Sequence, residues 1–266
     1  MITWLVLGGT GLAGGVGAYA VGRRCPRATA ALVPLLLVLL CLRAVLDARA
    51  DWEWALLPWP GYALVQGFVL YALAVAFFGV AAARLPVRWN RAVVAGLGLL
   101  VLGHGLYRHS FLAWPERHGD ERTAGPDHHL RQSTMYTCGP AACVAALSYF
   151  GVRRSEREMA ELCLCRRSGS RLFDLYRGLV TTLDPDRFAV SIEGLDAAAL
   201  LRSDTVVVAS NGSRAHAIAI ATRAGAATVH DPLAKAPEVW SPAQLQRDYR
   251  PPAIVIRPRP VAASPR

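Results

Sequence analysis

Apolar residues crowd the first 108 positions and then give way to shorter, interrupted patterns, so the chain predicts two differently built halves. Four stretches with little or no charge stand out in the first half: residues 2–22, residues 28–46 with Arg43 inside, residues 60–83 in an apolar run that starts near Trp54, and residues 92–107 with His104 inside. A helix crossing a bilayer core needs about 20 apolar residues, with a range of about 17–25. The first three stretches meet that length. The fourth sits at its lower edge, and if it does not span it reads as a re-entrant or interfacial helix.

After residue 108 the periodicity changes. Residues 109–129 read as a polar linker rich in charge and histidine. Residues 138–150 carry helical spacing, with Gly151 as the stop. Ser155 and Glu158 form a capping box for a second helix to about Cys163. A third helix begins after Ser170, with Leu172, Leu175, Tyr176 and Leu179 on one face. From residue 188 the period falls to two: strands are expected at 188–192, 205–209 and 253–256. Residues 215–221 and 227–230 form a hairpin turning at Arg223-Ala224-Gly225. Short helices fall at 196–201 and 241–248. Helices first and an antiparallel sheet after make an α+β domain over residues 130–257. It follows an all-α bundle of about four transmembrane helices over residues 1–108, and residues 258–266 read as a basic disordered tail.

Composition sharpens this picture in two ways. Of the 266 residues 53% are hydrophobic, high for a water-soluble chain. The formal net charge of +10 comes almost entirely from arginine. No aromatic-plus-basic recognition stripe accompanies it, which excludes nucleic acid as a partner. The arginines read instead as topology signals. Arg23, Arg24 and Arg27 follow the first stretch, and Arg84, Arg88 and Arg91 follow the third. Asp47, Asp51 and Glu53, beside Trp52, Trp54 and Trp59, occupy the loop between the second and third. Positive loops stay in the cytoplasm and tryptophans favour the interface. This is a multi-pass membrane arrangement, in contact with lipid, with the α+β domain on the extracytoplasmic side after four spans; three spans would place it in the cytoplasm.

The run Gly8-Gly9-Thr10-Gly11-Leu12-Ala13-Gly14-Gly15 superficially matches a dinucleotide loop. That loop needs a strand–turn–helix unit and an acidic residue about 20 positions on. Here Arg23, Arg24 and Pro26 follow, then another apolar stretch. Close helix packing at Gly11 and Gly15 explains the glycines better. The histidines of the linker (His109, His118, His128, His129) and Asp127 match no metal-ligand spacing. The sequence calls for no metal and no cofactor.

Candidate chemistry centres on Cys138, which opens a predicted helix. Unpaired N–H groups and the positive end of the helix dipole favour a thiolate there. His216 opens an alternating strand and can serve as base. Asp231, before Pro232 at the end of the hairpin, can accept from the second imidazole nitrogen and fix the ring. Gln132 lies six positions before the cysteine, and its amide together with the Cys138 N–H can stabilise an oxyanion. His230, on the opposite face of its strand from Asp231, ranks behind His216. Cys143 faces away from Cys138, while Cys163 or Cys165 could act as a resolving thiol in a redox reading of Cys138. Amide hydrolysis or acyl transfer to an amine would use the same constellation.

These residues resemble the active-site segments of the bacteriocin-processing cysteine peptidases, peptidase family C thirty-nine. The family pattern is a Gln, then Asp-Cys-Gly-Pro or similar, then a helix ending in an aromatic pair and Gly. It matches Gln132, Thr137-Cys138-Gly139-Pro140 and Tyr149-Phe150-Gly151, with Thr137 in place of the frequent Asp. His216-Ala217-Ile218-Ala219 and Asp231-Pro232 match the remaining motifs, so the resemblance covers about residues 130–256. It implies a papain-like cysteine endopeptidase with Cys138 as nucleophile, His216 as base, Asp231 as orienting acid and Gln132 in the oxyanion hole. It also implies a peptide or protein precursor as substrate. No Walker A motif is found, and the apolar stretches precede the domain rather than follow it. An ATP-driven exporter would therefore be a separate partner. The alternative is a non-catalytic peptide-binding domain of the same fold serving such an exporter.

Overall fold

The computed structural model describes residues 2–114, 116–212 and 216–259. The chain divides into two units, residues 1–49 with 61–115, and residues 50–60 with 116–266. Ala215, at the expected start of the hairpin, and residues 260–266 of the expected tail lie outside the described residues.

Five helices come first: α1 (Ile2–Arg24), α2 (Pro26–Ala48), α3 (Ala50–Leu56), α4 (Tyr62–Arg84) and α5 (Arg88–Arg108). Three of them, α1, α2 and α4, are long and apolar enough to cross a membrane. The fourth expected stretch is helical over 21 residues. It is not among those three, because Asn90, Arg91 and His104 dilute its apolar run. Within the first unit the glycines set how closely helices approach. A Cβ on Gly15 would come within 2.8 Å of Val75 Cγ1, and one on Gly79 would fall on the Gly15 carbonyl oxygen. The glycine-rich run is thus a packing face of α1 against α4, as small residues allow. Leu7, Phe68, Val75 and Leu102 fill the space between α1, α4 and α5.

Residues 50–60, expected with the apolar half, group instead with the second unit. There the Trp54 ring meets Tyr176 edge-on with centroids 6.2 Å apart. Pro58 and Pro60 interrupt the apolar run that begins at Trp54, so α4 starts only at Tyr62.

The second unit continues with α6 (Cys138–Ser148), α7 (Glu156–Leu162), α8 (Leu172–Thr182), β1 (Phe188–Glu193), α9 (Ala197–Leu201), β2 (Val206–Asn211), β3 (His216–Arg223), β4 (Ala226–His230), β5 (Glu238–Trp240), α10 (Pro242–Asp248) and β6 (Tyr249–Pro258). Helix α7 has the expected capping box, Ser155 accepting from the Glu158 N–H and Glu158 from the Ser155 N–H. The six strands form one antiparallel sheet in the order β1-β6-β2-β3-β4-β5. Ile218 and Ile220 of β3 are fully buried with Val207 of β2, Val229 of β4, Leu200 of α9 and Leu245 of α10. Two features of the sheet were absent from the sequence pattern. Edge strand β5 has only three residues. Strand β6 begins at Tyr249, before the Pro251-Pro252 pair, and a register shift between Val208 and Ser210 of β2 accommodates those prolines.

Candidate active site

Cys138 is the first residue of α6, after Thr137, whose carbonyl accepts the Ala141 N–H at 2.9 Å. Pro140 lacks an N–H where the helix has no acceptor for one. Gly139 lies close against α8: a Cβ there would come within 2.7 Å of Leu175 Cδ2, which would have to move aside. Residues Gly139 to Leu147 are buried, so α6 is a rigid support for its first residue.

The hairpin supplies the other two groups. Ala219 pairs with His230, so the next residue, Asp231, falls opposite Ile218 and diagonal to His216. The His216 Nε2 and Asp231 Oδ1 atoms are 2.6 Å apart. The other ring nitrogen, Nδ1, is not engaged by Asp231, and the imidazole lies near enough to the Cys138 thiol for each to shift the other's titration. Cys138, His216 and Asp231, separated by up to 93 positions in sequence, are thus gathered at one place, with His216 and Asp231 directly hydrogen-bonded.

Each group in this chain titrates away from its ordinary value. Burial pushes the Cys138 thiol up, but hydrogen bonds from His216 and from the Ala217 and Gly139 N–H groups outweigh it, leaving the thiol below the usual range. Burial pulls the His216 imidazole down, while the bonds to Asp231 and Cys138 and both negative charges push it up to about 9. Burial raises the Asp231 carboxyl, and bonds from His216 and the Leu233 N–H more than reverse this. Both shifts run in the direction of a thiolate–imidazolium pair. The other thiols behave oppositely. Burial pushes Cys165 up to about 11 and holds Cys163 well above the thiol range. Cys143 is fully buried and raises Cys163 further, and all six cysteines are free.

Gln132 is tied to the same hairpin through its backbone, its N–H donating to the Pro232 carbonyl at 3.0 Å. Its side-chain amide donates to the Thr134 carbonyl at 2.7 Å. This uses one of two N–H donors, and the reverse orientation would set two acceptors together. The Gln132 Oε1 atom is buried without a hydrogen-bond partner among the described residues. His230 faces elsewhere: its Nε2 meets the Tyr149 hydroxyl at 2.7 Å, and burial with the nearby His129 and His128 charges drives it down to about 4. The histidines preceding the site take separate partners, His109 the Gly105 carbonyl, His118 Glu116, His128 Ser148 and His129 the Ala234 carbonyl.

Two contributors were invisible as residue types. The Ala217 N–H acts through the backbone, so no side-chain pattern marks it. Glu156 is a buried carboxylate that accepts the Ser133 N–H at 2.8 Å, directly beside Gln132. Its only trace in sequence is its place next to a capping serine.

No family model matches the chain. An uncharacterized protein of Methanothermobacter marburgensis is 43% identical over 51 residues, which is 19% of this chain and 36% of that relative. The chain thus spans about a third of that relative's length. Among solved structures, the peptidase domain of Streptococcus ComA, a bi-functional ABC transporter involved in a quorum-sensing pathway, is similar with a TM-score of 0.41 and 16% identity, covering 50% of this chain and 97% of that domain.

Proposed function

We propose that the chain is a membrane-anchored cysteine peptidase of papain-like fold, acting through Cys138, His216, Asp231 and Gln132. The observation that supports this most is the His216 imidazole held at 2.6 Å from Asp231 beside the Cys138 thiol, whose pKa it lowers. The Cys138 thiolate attacks the scissile carbonyl, forming a C–S bond as the oxygen takes the negative charge. The Cys138 N–H, free of an intrahelical acceptor, and the Gln132 amide stabilise that oxyanion. Collapse breaks the C–N bond, and the His216 proton passes to the leaving amine. Neutral His216 then takes a proton from water, whose oxygen attacks the thioester, releasing the acid and the thiolate. Asp231 keeps the ring oriented and steadies its charge throughout.

The substrate in this reading is a peptide or protein precursor, and export belongs to a separate partner. The anchor is a multi-pass helical bundle with the peptidase unit outside the cytoplasm. Digestion of a defined peptide library by the detergent-solubilised full chain tests the assignment. The native chain generates new N-termini, and Cys138→Ala lowers their rate at least about a thousandfold. Cleavage that persists in Cys138→Ala, or none by either form, sinks the reading.

A further inference from the structure

We infer that Glu156 is a positioning residue for the oxyanion loop, and that through it residues 116–122 form a strap fastened beside the nucleophile rather than a free tether. This rests on the peptidase reading for its functional consequence, but not for its geometry. Glu156 is fully buried at the first position of α7. A carboxylate survives there only if its oxygens are well bonded. One oxygen accepts the Ser133 N–H at 2.8 Å and the other the Asp120 N–H at 3.2 Å. One side chain therefore joins the residue after Gln132 to the strap.

The strap is fastened along its length. The Glu156 N–H donates to the Arg122 carbonyl at 3.0 Å and the Arg157 N–H to the Asp120 carbonyl at 2.9 Å. Arg157 also pairs with Glu121 at 2.6 Å. Glu116 accepts the Arg167 N–H at 3.2 Å. His118 lies against the Tyr136 ring, centroids 5.7 Å apart, two residues before Cys138. Gly119 sits at φ +81°, and a Cβ there would come within 3.0 Å of the α7 backbone, so the strap can lie this close only with glycine. On the other side Gln132 is held by Pro232 and by the Thr134 carbonyl, which also accepts the Thr137 hydroxyl at 3.1 Å. With Glu156 removed, Ser133 and Asp120 lose their shared acceptor, and Gln132 keeps only its bonds to Pro232 and Thr134.

Two probes of Cys138 separate positioning from general damage. Acylation by p-nitrophenyl acetate forms a C–S bond through a tetrahedral oxyanion and expels p-nitrophenolate. Alkylation by iodoacetamide forms a C–S bond with loss of iodide and no oxyanion. In the full chain, Glu156→Ala should slow acylation roughly tenfold, a fraction of what losing an oxyanion donor costs, with alkylation unchanged within about twofold. Glu156→Gln, which keeps one acceptor oxygen, should fall between. In a Gln132→Ala background Glu156→Ala should add nothing further. Unchanged acylation, equal slowing of both probes, or effects that multiply with Gln132→Ala would each overturn the inference. If the native chain shows no Cys138-dependent acylation, the peptidase reading fails instead. Hydrogen exchange then decides the strap: the Ser133 and Asp120 amides must exchange faster in Glu156→Gln, and unchanged protection refutes it.

Discussion

The first unit leaves many of its large apolar residues exposed, whereas the second buries most of its own. In α1 and α2 the side chains of Ile2, Leu5, Val16, Leu35 and Val38 are exposed, while residues buried in α1 and α4 include Gly11, Gly22, Ala63, Ala82 and Ala83. In the second unit Ile218, Ile220, Ile254 and Ile256 are fully buried. Burial of apolar area drives folding in water, but between helices in lipid it offers nothing, and close van der Waals contact between small residues takes over. The difference teaches where each unit can carry chemistry. A perturbed thiol and imidazole need a rigid interior that desolvates them while supplying hydrogen bonds. Cys138, His216 and Asp231 all belong to the second unit.

The sharpest test of that division is His216→Ala. Iodoacetamide alkylation of Cys138 at pH 7 should slow roughly a hundredfold as the thiol returns toward its ordinary range. Reactivity of Cys165, already pushed up to about 11, should not change. Equal effects on both thiols would mean that no special pair exists.

Core truncation comes next. Ile220→Ala should destabilise the second unit by about 2–5 kcal/mol, read from its denaturant midpoint, whereas Leu12→Ala in α1, an exposed position, should cost less than about 0.5 kcal/mol. A large loss at Leu12 would break the comparison.

Glycine replacement tests the other unit. Gly79→Ala should cost about 1–3 kcal/mol by forcing a methyl onto the Gly15 carbonyl. Gly14→Ala, with nothing within 4 Å of the new carbon, should be neutral or slightly stabilising. Detergent-solubilised thermal unfolding reads both.

Stability against pH tests the ion pair itself. His216 titrates at about 9 rather than its ordinary 6.5. Its contribution is therefore complete below about 6.5 and fades as pH rises through about 9. Asp231 runs the other way, its contribution present above the ordinary 3.8 and lost as pH falls through its lowered value. Unfolding midpoints for the native chain and His216→Ala should converge above pH 9; a constant gap across pH 6–10 would refute the ion pair.

Much of this architecture was legible in sequence because it is local. Period and caps gave α6, α7 and α8, and the Ala224-Gly225 turn gave the β3–β4 hairpin. Edge strand β5 was not legible, because three residues cannot show alternation. The early start of β6 was hidden by Pro251 and Pro252, which argue against a strand unless a neighbouring irregularity receives them. The grouping of residues 50–60 escaped as well, because the tryptophans that favour an interface serve equally to pack Trp54 on Tyr176.

The residue types and their order determined the chemistry the chain can attempt: a thiol at a helix start, an imidazole opening a strand, a carboxylate closing a hairpin. They also determined that three helices are long and apolar enough to cross a membrane. Only the tertiary structure decided which nitrogen of His216 faces Asp231, that the Ala217 N–H helps to lower the Cys138 thiol pKa, and that Glu156 fastens Ser133 to Asp120. The physical reason is range. Periodicity and capping act over a few residues, whereas hydrogen bonds between segments far apart in sequence are set only when the sheet and helices pack.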